Sequence, residues 1–190
     1  PKGLSENQLV AKDGSCGYRL EADDKNGEYR QENRTERRCC MIKIIVLTEN
    51  TKESSDFKCK HGLSLYVETK KHKILFDMGP NALFMKNAET LGVDIADVDI
   101  AIISHGHIDH CGGLKYFLEK NQKAKIYIRP QAMEQHYVKV LGMPLYAGID
   151  RALLSLDIFR LTDDIHMIDD EIMLFSDVSG QFPLPQSNSN

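Results

Sequence analysis

An almost wholly apolar stretch, Val98-Asp99-Ile100-Ala101-Ile102-Ile103, runs directly into Ser104-His105-Gly106-His107-Ile108-Asp109-His110. The first part reads as a strand buried on both faces. In an extended segment residues two apart point to the same side, so His105 and His107 can converge on one ion. Asp109 and His110 follow in a turn that redirects them, placing a carboxylate and a third imidazole nearby, toward a second ion. Imidazole and carboxylate suit zinc, and also iron or manganese. A single histidine is usually an ordinary surface or core residue. Here three of the chain's seven histidines crowd beside a strand where unsatisfied polar groups are costly. Gly106, Gly112 and Gly113 are expected to let the backbone fold tightly around the metals.

From Met41 onward strands and helices alternate. Met41 to Thr48 is an apolar strand and Leu63 to Glu68 an alternating, half-buried one. Lys73 to Asp77 is a short strand stopped by Met78-Gly79-Pro80. Asn81 is the expected cap of a helix over Ala82 to Leu91, with Gly92 as its stop. A helix from Leu114 to Lys120 and a strand from Lys125 to Ile128 follow. Gln131 to Val140 is expected to be helical and Leu141 to Ile149 a loop. Two late strands are expected, near Ile158–Leu161 and Glu171–Ser176.

Residues 1–40 read differently. Sixteen of the forty are charged, eight of each sign, with no hydrophobic period. Such a segment has little to bury and is expected to be a disordered extension or a non-native upstream segment, with Met41 as the natural start. Residues 181–190, rich in Pro, Ser, Asn and Gln, read as loop or tail. The five cysteines match no CxxC zinc framework and read as reduced thiols, consistent with a cytoplasmic protein. A net charge of -4 argues against a nucleic-acid partner, and no apolar run is long enough to span a membrane.

The run Ser104 to Leu114, SHGHIDHCGGL, closely resembles the HxHxDH signature of the metallo-β-lactamase superfamily. Ile74-Leu75-Phe76-Asp77-Met78-Gly79 resembles that superfamily's apolar strand ending in Asp-x-Gly. The resemblance covers about Met41 to Val178 and implies an α/β fold (α+β in some schemes). Residues 41–180 would form the N-terminal part of an αβ/βα sandwich, a mixed sheet flanked by helices. It implies two divalent metal ions, zinc first, with iron or manganese as alternatives. His105 and His107 would hold the first, Asp109 and His110 the second, and Asp77 would orient the loop from behind by hydrogen bonds. Asp109 would also be catalytic, helping to orient the nucleophile.

His61-Gly62-Leu63-Ser64, Asn87-Ala88 and Leu91-Gly92-Val93-Asp94 resemble one branch of that superfamily, which includes dihydropterin-methyl ribofuranosylaminobenzene phosphate synthases. His61 is a candidate to face a small-molecule substrate, although a plain loop residue is the commoner reading. The activity implied is hydrolysis of an ester, amide, thioester or phosphoester by metal-activated hydroxide. The alternatives are a pterin-related transferase, and an inactive truncated fragment that binds metal weakly. The superfamily pattern calls for further ligands, a His, a bridging Asp and a last His. Only His136 and His166 lie downstream, neither in a recognisable ligand motif, so those ligands are expected beyond Asn190. Such a half-sandwich is expected to leave one sheet face exposed and to self-associate.

Overall fold

The computed structural model describes residues 42–52 and 54–176. The expectations for residues 1–40, Met41 and 181–190 lie outside these residues. Six strands build the main sheet: β1 (Lys43–Thr48), β2 (Ser64–Glu68), β3 (Lys73–Phe76), β4 (Ile100–Ile103), β5 (Lys125–Ile128) and β8 (Phe159–Leu161). Their spatial order is β1-β2-β3-β4-β5-β8. The first three pair antiparallel, and β3, β4, β5 and β8 run parallel. The mixed sheet is therefore present, flanked by few helices.

Alternation along the strands decides what each face packs against. Leu47, Tyr66, Leu75, Ala101, Ile103, Ile126 and Ile128 point to one face. There they meet Phe84 and Ala88 of helix α1 (Leu83–Thr90) and Leu114 and Phe117 of helix α3 (Leu114–Lys120). Helix α1 starts one residue after Ala82, and Asn81 Oδ1 accepts the Leu83 N–H at 3.0 Å. Gly92, at φ 70°, follows its end, where the left-handed conformation favours glycine.

Ile74, Ile100, Ile102 and Tyr127 point to the opposite face. This face was expected to stand open, but its centre is covered. Strands β9 (Ile165–Met167) and β10 (Met173–Phe175) form an antiparallel hairpin, and Ile168, Ile172 and Leu174 pack on the four residues. Among the described residues, Ile42, Ile44 and Val46 are exposed along the edge strand β1.

The segment after β5 departs furthest from expectation. Instead of a helix over Gln131–Val140 there is one 3-10 turn, Pro130–Met133, and then strand β6 (Tyr137–Val140). Instead of a loop there is β7 (Met143–Tyr146), paired antiparallel with β6. The physical reason is the sequence Tyr-Val-Lys-Val followed by a two-residue turn. Leu141 and Gly142 both have positive φ, 50° and 82°, as hairpin turns of this length require. A short helix, α4 (Arg151–Leu154), leads on toward β8, its first turn capped by Asp150, whose carboxylate accepts the Ala152 N–H.

Candidate metal centre

The candidate site lies where parallel strands β3 and β4 end. Strand β4 stops at Ile103, and the chain turns through His105 and His107 into a single helical turn, α2 (Ile108–Cys111). His107 is still extended (φ −74°, ψ 145°) and caps that turn, its carbonyl accepting the His110 and Cys111 N–H groups. This change from extended to helical backbone gathers side chains that a straight strand would spread. One ligand atom each from His105, His107 and Asp109 lies within 4.8 Å of the others, the separation a shared ion requires. His110 stands beside them, its Nε2 3.5 Å from Asp109 Oδ2 and its ring centroid 4.1 Å from that of His105. The geometry thus brings all four candidates together, with His105, His107 and Asp109 in one group and His110 adjoining Asp109.

Asp77 is fully buried behind the loop. Its carboxylate accepts the Ser104 N–H at 2.8 Å, the Ser104 hydroxyl at 2.7 Å and His110 Nδ1 at 2.7 Å. Ser104 Oγ is also 3.0 Å from His105 Nδ1. Because the hydroxyl hydrogen goes to Asp77, Nδ1 of His105 must donate to Ser104 Oγ for both contacts to be hydrogen bonds. The proton on His105 is then on Nδ1, which leaves the Nε2 lone pair free. The bond to Asp77 likewise places a proton on Nδ1 of His110. One buried carboxylate therefore sets the tautomer of His110 directly and that of His105 through Ser104, as supporting carboxylates do around metals.

The electrostatics differ between the two rings. Burial, helped by the neighbouring His110, holds the His105 imidazole below its ordinary range and so favours the neutral, ligand form. The hydrogen bond that His110 donates to Asp77 raises the His110 imidazole above its ordinary range, against its burial. Burial pushes the Cys111 thiol up to about 12, and its sulfur lies 3.0 Å from the His107 carbonyl oxygen. Cys111 is a small buried packing residue.

His61 approaches the loop from the turn before β2, its Nε2 3.3 Å from Asp109 Oδ2, with 81% of its side chain exposed. Gly62 makes this possible. At φ 130° it adopts a conformation closed to other residues, and a Cβ there would fall 2.1 Å from the Asp109 carbonyl oxygen. The glycines of the metal loop act differently from expectation. Gly112 and Gly113 have ordinary helical φ and ψ. They are needed for close approach, since a Cβ on Gly113 would fall 2.1 Å from the Met78 carbonyl oxygen. His136, expected inside a helix, instead enters the site region, with its ring 5.0 Å from that of His107. No spacing in the sequence links residues 107 and 136; only the hairpin geometry brings them together. His166 lies in β9, its ring 5.6 Å from that of Tyr127.

Residues 58–181 match the family model of the metallo-beta-lactamase superfamily. The chain belongs to this superfamily. It is 31% identical over 144 residues to an uncharacterized protein of Methanocaldococcus jannaschii, covering 75% of this chain and 54% of that protein. It is 34% identical over 119 residues to the 7,8-dihydropterin-6-methyl-4-(beta-D-ribofuranosyl)-aminobenzene-5'-phosphate synthase of the same organism, covering 59% and 40%. The fold is similar to that of a crystal structure described as a metal-dependent hydrolase of the beta-lactamase superfamily. That match has a TM-score of 0.56 and 29% identity, and covers 70% of this chain and 47% of the other. The chain thus spans about half the length of these relatives. No helix among the described residues is long and apolar enough to cross a membrane.

Proposed function

We propose that this chain carries the metal-binding loop of a metal-dependent hydrolase, acting on a small molecule with an ester, amide, thioester or phosphoester bond. The observation that supports it most is the convergence of His105, His107 and Asp109 within 4.8 Å, backed by the buried Asp77. The donor set fits a divalent ion: borderline nitrogen and hard oxygen atoms, with the proton of His105 held away from Nε2. His105, His107, Asp109 and His110 would hold the metal, which we take to be zinc, at up to two ions. Bound there, it would bring water into nucleophilic form near neutral pH and polarise the bond under attack.

The chain's own groups have separate tasks. Asp77 fixes the loop and two imidazoles before substrate arrives, so no reorganisation is needed during reaction. Asp109, with one oxygen near His110 and His61, orients the attacking water and accepts a hydrogen bond from it. His61, exposed and next to that carboxylate, is placed to meet the substrate. The setting we propose is cytoplasmic.

A second reading is a pterin-related transferase, favoured by the similarity to the synthase noted above. The discriminating experiment incubates metal-loaded protein with an activated ester, a thioester and a phosphodiester, beside Asp109→Asn. Hydrolysis by the parent, lowered about a hundredfold or more in the variant, is expected. Metal-loaded protein that hydrolyses none of them, but condenses a pterin with a ribosyl aryl amine, would replace the first reading with the second.

A further inference from the structure

His107 differs from its neighbours in how its ring is held. His105 has Ser104 on Nδ1, and His110 has Asp77. Among the described residues, no hydrogen bond reaches the His107 ring. It is instead met by two other rings, each edge to face at 81°: His105 at 4.9 Å and His136 at 5.0 Å.

His136 is itself fixed from several sides. Its Nε2 is buried and has no hydrogen-bond partner among the described residues. It lies so close to Gly106 that a Cβ there would come within 2.5 Å of this nitrogen, and within 2.0 Å of the Ala132 carbonyl oxygen. Its carbonyl accepts the Ala147 N–H at 2.9 Å, and the Ala147 carbonyl accepts the Ile108 N–H at 2.8 Å. The root of the β6–β7 hairpin is thereby bonded to the same loop that the His136 ring touches.

We propose that His136 is a positioning residue for His107: its ring is a wall that keeps the His107 imidazole turned toward His105 and Asp109. This rests on the reading of His107 as a metal ligand. His136 stands outside the cluster of ligand atoms and acts through His107, replacing by packing the hydrogen bond that the other two histidines donate from Nδ1. A ring already held in place loses less freedom when it binds, so the support acts on metal affinity.

The test compares the whole chain with His136→Ala and His136→Phe, the second keeping a flat ring without nitrogens. Two quantities are read. The first is the mobility of the His107 ring in metal-free protein, from carbon-13 relaxation of labelled histidine. The second is the dissociation constant for cobalt(II), from its visible spectrum. We expect an ordered His107 ring in the parent and in His136→Phe, and a mobile one in His136→Ala. Cobalt should bind about tenfold or more weakly to His136→Ala, the usual effect of losing a supporting group, and within about threefold of the parent to His136→Phe. An unchanged ring order in His136→Ala overturns the proposal. So does a His136→Phe that keeps the ring ordered yet binds as weakly as His136→Ala, because the nitrogen would then matter rather than the wall. A parent that takes up no cobalt removes the metal reading alone, and ring order in the metal-free protein still decides the positioning role.

Discussion

Asp77 concentrates more of the site's order than any of the candidate ligands. It is wholly buried, accepts three hydrogen bonds and has φ 55°, a conformation that Asp and Asn tolerate better than most residues. Asp77→Ala orphans the Ser104 N–H and the donors on Ser104 and His110, and should cost about 2–3 kcal/mol in urea unfolding. Asp77→Asn should cost less, since it keeps the backbone and one acceptor. Thiol chemistry gives a second check at this scale. Cys59 is exposed, whereas Cys111 is buried with its thiol pushed up to about 12. Iodoacetamide at neutral pH, read by peptide mapping, should label Cys59 well before Cys111. His105, His107, Asp109, His110 and Asp77 were legible in the sequence because they lie in two short motifs at the ends of adjacent parallel strands. His136 was not, because its contact with His107 depends on a turn and a hairpin between them.

At the scale of elements, the parallel strands β4 and β5 and the helix Leu114–Lys120 were legible, since unbroken apolar runs and a clear helical stripe leave little choice. The β6–β7 hairpin was hidden by its turn. Leu141 is a poor turn residue, because a side chain at positive φ is disfavoured, and nothing in Val140-Leu141-Gly142-Met143 signals a reversal as Asn-Gly would. Strand β9, three residues long, is too short for its alternation to register. Gly106 couples the hairpin root to the metal loop. Gly106→Ala places a Cβ 2.0 Å from a backbone oxygen of the Pro130–Met133 turn, which must move. The expected result is a destabilisation of roughly 1–3 kcal/mol, with faster hydrogen exchange at the Ile108 and Ala147 amides. The β9–β10 hairpin is tied to the main sheet at its turn, through Lys71 with Asp170, His72 with Asp169, and Thr69 with Glu171. The Glu171 N–H and then His72 hold the Asp169 carboxyl below its usual value. A lowered carboxylate contributes stability above its ordinary value of 3.8, and this is lost as pH falls through the lowered one. Protection of the β9 and β10 amides, as exchange rates corrected for the intrinsic rate at each pH, should therefore fall on acidification below about pH 4, and Asp169→Asn should lower it at neutral pH.

For the molecule as a whole, the mixed sheet has one face closed by helices and the centre of the other closed by a hairpin. This explains how a chain spanning about half the length of its relatives can still bury Ile74, Ile100, Ile102 and Tyr127. Among the described residues, Ile42, Ile44 and Val46 are exposed along the edge strand β1, and changing both Ile44 and Val46 to Thr should weaken self-association, as read by sedimentation velocity. The central claim, however, concerns the loop that the sheet presents. It is tested most directly by elemental analysis of the purified chain after equilibration with zinc and gel filtration, beside His105→Ala/His107→Ala. The account predicts bound zinc in the parent and none in the double variant, with both folded by circular dichroism. Equal zinc in the two, or none in a folded parent, would contradict it.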